Sequence, residues 1–91
     1  MGRWIAIGRA PGWDDLATFG GELRETSQWR VDAQTTITTV LALGDGRVMA
    51  ECHATKQETF DAWLQQKGWQ VESVTPITHL AKTGSIWKVA L

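Results

Sequence analysis

The spacing of apolar residues changes several times along the chain, and each change marks an element. Residues 3–9, with Trp4, Ile5 and Ile7 set among small and polar neighbours, read as a short strand. Pro11-Gly12 cannot continue a ladder and favours a turn. From Asp14 the period lengthens. Leu16, Phe19 and Leu23 fall on one helical face, with acids at the start to suit the dipole, and predict a helix that ends before Trp29. Gly20-Gly21 weakens its middle.

The run 29–43 is dense in Thr, Val and Ile and predicts one strand, which Gly44-Asp45-Gly46 turns into a second at 47–53. Thr55-Lys56-Gln57-Glu58 has capping-box spacing. It opens a helix with Phe60, Trp63 and Leu64 on one face, and Gly68 is the stop after Lys67. A strand from Trp69 to about Thr75 follows, Pro76 interrupts or bulges it, and 77–81 and 85–91 read as extended pieces around Lys82-Thr83-Gly84. The order is βαββαβ with a C-terminal β addition, in a single domain spanning 1–91.

The two halves, 3–42 and 47–82, resemble one another. Arg3, Ala6 and Ala10 fall on Arg47, Ala50 and Ala54; Thr18, Phe19 and Leu23 on Thr59, Phe60 and Leu64; Trp29, Val31 and Thr35 on Trp69, Val71 and Thr75. Two such βαβ units related by a pseudo-twofold make an α+β fold, the ferredoxin-like plait, with two helices on one face of an antiparallel sheet. The other face is then uncovered. Within 47–53, Val48, Ala50 and Cys52 are small and apolar, suited to lie beneath helices. Met49, Glu51 and His53 point the opposite way, together with Ile5 and Ile7. An open face of this mixed character suits a dimer interface that encloses a small pocket.

The βαββαβ order, the open sheet face and the extra C-terminal strand resemble the dimeric α+β barrel superfamily. That resemblance implies two plaits packed sheet to sheet, with the tail reaching across to the partner, and a cavity more than a chemistry. Its members include cofactor-independent monooxygenases, lactone isomerases and small metal-binding proteins. A second resemblance is to ACT domains, regulatory amino-acid binders, carried by Arg9-Ala10-Pro11-Gly12-Trp13-Asp14-Asp15-Leu16 and by the stretch 60–71 with Gly68 before an aromatic strand start. Asp14-Asp15 and the extension past residue 76 depart from that pattern.

Composition narrows the function classes. Nine Lys and Arg stand against ten Asp and Glu in 91 residues, so no basic field steers nucleic acid to the surface. No stretch approaches the roughly 20 apolar residues that cross a bilayer, and the N-terminus lacks a long apolar run with a cleavage site. The single cysteine, Cys52, forms no internal disulfide. A cytoplasmic protein without membrane or nucleic-acid partners is the expectation. Six tryptophans with no tyrosine are a heavy aromatic load for this length, and point to homo-oligomerisation or a ligand cavity.

The candidate chemistry is sparse. Glu51 and His53 share a strand face at a separation that suits proton transfer, with His53 as the catalytic group and Glu51 orienting it. The alternative is that Glu51 pairs across the sheet with Arg3, Arg47 or Arg9 while His53 sits at a wet strand end. Ile5, Ile7 and Met49 would line the ligand cavity, with Trp13 as a lid or rim residue and His79 contributing from beyond Pro76. Trp87 is expected to cross the dimer interface. His53, His79 and Glu51 are also a donor set that suits Zn or Ni, although no paired-ligand spacing supports a metal. The glycines have no phosphate-cradling spacing, so no cofactor is expected. Cys52 reads as a small core residue.

Overall fold

A computed structural model describes residues 2–13, 15–24, 29–82 and 85–88; the side chains of Leu16, Glu22, Lys82 and residues 85–88 lie outside that description. The elements run β1 (Gly2–Arg9), α1 (Leu16–Leu23), β2 (Arg30–Asp32), β3 (Thr35–Ala42), β4 (Val48–Ala54), α2 (Gln57–Gln66), β5 (Gln70–Pro76), β6 (His79–Lys82) and β7 (Ser85–Lys88). Strands β1 to β5 form one antiparallel sheet in the order β2-β3-β4-β1-β5, and β6 and β7 pair only with each other in a separate hairpin. The molecule is an α+β fold.

Side-chain size explains how the helices reach the sheet. Ala6, Ala50, Cys52 and Ala54 present a nearly flat, fully buried surface, and the wide side chains come from the connections and helices above it: Trp13, Leu23, Phe60, Trp63, Leu64 and Trp69. The rings meet mainly edge to face, Trp13 lying 6.0 Å from Phe19, 6.5 Å from Trp63 and 5.4 Å from Trp69. Small strand residues lie under large helix residues, so wide and narrow side chains complement one another across the layer. Both helices contribute to this one cluster, so the opposite sheet face carries none of it.

Local chemistry sets several element ends. The Ala10–Trp13 turn closes with the Trp13 N–H on the Ala10 carbonyl at 3.0 Å, and Gly12 at φ 85° takes the left-handed position after Pro11. Asp15 caps α1 by accepting from the Thr18 N–H at 3.0 Å and from its hydroxyl at 3.1 Å. The Lys67, Gly68 and Trp69 N–H groups close α2 on the Trp63, Gln65 and Leu64 carbonyls.

Four expectations need correction. The run 29–43 is not one strand: the Asp32 carboxylate accepts the Gln34 N–H at 2.8 Å and folds the chain into the β2–β3 turn. The capping box at Thr55 does not form. Helix α2 starts after Lys56, which supplies no side-chain cap, because the Thr55 N–H is bound to the Gln34 carbonyl at 3.2 Å. The halves also do not correspond as aligned, since matching Trp29 with Trp69 lays β5 over β2 and the start of β3, and Pro76 ends β5 where β3 runs on. Lastly, Trp13 is no rim residue; it is 3% exposed at the centre of the aromatic cluster. Asp14 of the first helix start, Thr83-Gly84 and 89–91 of the expected last strand lie outside the described residues.

Candidate functional site

The face away from the helices is built from three cross-strand rows, fixed by register. The first joins Thr36, His53 and Arg3; the second Thr39, Glu51, Ile5 and Thr75; the third Leu41, Met49, Ile7 and Ser73. Successive rows are roughly 6.7 Å apart along the strands. On β4, Met49, Glu51 and His53 are half-buried, whereas Val48, Ala50, Cys52 and Ala54 beneath the helices are fully buried.

Two bulges decide which neighbours these residues have. Strict alternation from Ile37, which lies in the core, would carry Thr39 and Leu41 under the helices. A register shift between Ile37 and Thr39 moves both to the open face and leaves Val40 packed against the core. Leu41 is thereby 49% exposed, more than any other large apolar side chain among the described residues. A second shift between Ile7 and Gly8 keeps Val74 on the core side while Ser73 and Thr75 border Ile7 and Ile5. Sequence periodicity missed the facing of Leu41 and Thr39 because a bulge leaves no mark in an apolar pattern, whereas Thr36 precedes the bulge and faces outward by plain alternation with Thr35 and Ile37.

Glu51 is held from two sides. Its Oε1 accepts from Arg3 Nη1 at 3.2 Å and from the Thr38 hydroxyl at 2.8 Å, the Thr38 hydroxyl also lying 3.2 Å from the Glu51 carbonyl. Of the two pairings open to Glu51, the one across the sheet to Arg3 is formed, and no hydrogen bond to His53 accompanies it. His53 lies on the same face, opposite Arg3 on one side and Thr36 on the other, with no hydrogen bond or ion pair among the described residues. Beside Glu51 is a shallow depression of about 50 Å³ lined by Ile5, Thr39, Leu41, Met49, Ala50 and Glu51.

His79 does not join this group. It is exposed on β6, beyond the sheet, with Nδ1 3.1 Å from the Thr78 hydroxyl. Among the described residues no three His, Cys, Asp or Glu side chains gather as a metal site, so the set His53, His79 and Glu51 is not assembled. Cys52 faces the core, opposite His53, and burial pushes its thiol up to about 12. The backbone of Trp87 pairs with Leu80, and its side chain lies outside the description. No helix among the described residues is long and apolar enough to cross a membrane.

No protein-family model, curated protein or solved structure matches this chain.

Proposed function

We propose that the chain is a ferredoxin-like plait that pairs with a second copy through its open sheet face and binds a small, partly apolar molecule in the cavity between them. The plait reading is supported by the order β3-β4-β1-β5 with crossovers through α1 and α2, β2 adding a short flap at one edge. The observation that carries the binding reading is the open face itself. Ile5, Ile7, Leu41 and Met49 stand on it away from the helices, and Ile5, Leu41 and Met49 line a depression of about 50 Å³. Small-molecule sites measure about 300–1,000 Å³. One chain therefore supplies a floor, and an opposing copy would supply the roof. Within the three rows the guanidinium of Arg3 and the carboxylate of Glu51 already pair, so these two charges bring no net like-charge penalty when two copies meet.

Binding is favoured over catalysis because Glu51 is engaged by Arg3 and Thr38 and does not orient His53. Sedimentation velocity tests the assembly. The wild type is expected as a dimer or a multiple of one, and Met49→Glu, at the centre of the face, as a monomer with an unchanged circular dichroism spectrum. A wild-type monomer at tens of micromolar overturns the reading. So does a free amino acid bound beside Pro11-Gly12 and indifferent to His53→Ala, which would favour an ACT-like sensor.

A further inference from the structure

We infer that the ligand of the open face is an amphipathic monocarboxylate, its head group on Arg3, His53 and Thr36 and its apolar body along Ile5 towards Ile7, Met49 and Leu41. The inference rests on the binding reading above and adds the chemistry of the ligand.

The three rows form a polarity gradient along the strand direction. The first row is made entirely of groups that can donate a hydrogen bond: the guanidinium of Arg3, the ring of His53 and the hydroxyl of Thr36. The third presents Ile7, Met49 and Leu41, with only the Ser73 hydroxyl at its edge. Between them Ile5 offers an apolar path on β1, and the depression lined by Leu41, Met49 and Ile5 receives the far end. From first row to third is roughly 13 Å, the reach of a medium-length acyl chain or a substituted ring.

Exposure settles the sign of the head group. The Glu51 side chain is 15% exposed, and its Oε1 already accepts two hydrogen bonds. The Arg3 side chain is 28% exposed and commits only Nη1 to Glu51; Nε and Nη2 have no acceptor among the described residues. A guanidinium fork with free edges beside an unpartnered imidazole matches the planar oxygens of a carboxylate. A cationic head group would instead meet the open edge of Arg3 and gain only a shielded Glu51.

Octanoate and its uncharged isostere octanamide test this by amide chemical-shift titration of the intact chain, with oligomeric state measured on the same samples. Octanoate is expected to bind roughly tenfold or more tighter than octanamide, the difference a charge-assisted pair makes. The shifts should centre on Arg3, Ile5, Ile7, Met49 and His53. The double variant Arg3→Met/Glu51→Gln removes both charges together and strands neither; it should retain the native spectrum and bind the two probes equally. Equal binding of the two probes by the wild type, shifts away from this face, or an octanoate preference that survives in the double variant each overturns the inference. A dimer without the preference overturns the ligand class and leaves the assembly standing. A monomer with the preference supports the ligand class and overturns the enclosed cavity.

Discussion

Among single residues, the tryptophans divide by the fate of their N–H. Trp29 donates to the Leu23 carbonyl at 2.7 Å, a contact between a half-buried ring and a carbonyl in the last turn of α1. The Trp69 indole nitrogen is buried with no acceptor among the described residues, surrounded by the faces and edges of Trp13 and Trp63. Substitution by phenylalanine should separate the two. Trp29→Phe loses a bond and apolar area, and is expected to lower stability by about 1–2 kcal/mol. Trp69→Phe loses area but relieves an unsatisfied donor, so urea denaturation should find it within about 1 kcal/mol of the wild type. Cys52 makes a different statement. Its thiol is raised from 9.0 to about 12 by burial, so above pH 9 the unfolded chain releases a proton that the folded chain keeps. Stability is then lost as pH rises from 9 towards 12, by up to roughly 1.4 kcal/mol per pH unit. Urea midpoints of wild type and Cys52→Ala between pH 8 and 11 check this: the wild type should fall more steeply.

At the scale of elements, a glycine in a strand and one in a helix have opposite meanings. A Cβ on Gly8 would sit 2.3 Å from the Gln70 carbonyl oxygen and 2.9 Å from the Val71 Cα, because the bulge brings the β5 backbone across β1 at that point. Gly21, inside α1, has nothing within 4 Å of the corresponding position. Gly8→Ala is therefore expected to cost about 2–3 kcal/mol or prevent folding. Gly21→Ala should add about 0.5–1 kcal/mol through helix propensity, a rise of several degrees in Tm by calorimetry. If Gly21→Ala were neutral, the short helix would owe its stability to Leu23 and the Asp15 cap alone. The bulge at Gly8 and its counterpart at Thr38 also set the composition of the candidate site, since each reverses the facing of every residue beyond it.

For the molecule as a whole, a one-sided sheet is the dominant fact. A cluster of six aromatic and branched side chains from the helices and connections covers one face, and half-buried apolar residues remain on the other. If a second copy covers them, folding and association are linked and the thermal midpoint rises with protein concentration. The expected outcome is a rise of a few degrees over a hundredfold range for the wild type and none for Met49→Glu, read by scanning calorimetry.

How much of this could be read from the residues depends on the range of the interaction. Period and turn chemistry revealed both helices, the Pro11-Gly12 turn, the Gly44-Asp45-Gly46 hairpin and the two facings of β4, because each is set by residues within a turn or a strand of one another. The facing of Ile5, Ile7, Met49, Glu51 and His53 followed from the same period of two. Tertiary structure alone decided the rest. Whether Glu51 turned to His53 or to Arg3 depended on the register between β1 and β4; Trp13 entered the core because Trp63 and Trp69 arrive there from the other half of the chain; Leu41 reached the open face through a bulge. Register, burial and bulges depend on contacts between residues distant in sequence, and such contacts leave no periodic trace in the chain that makes them.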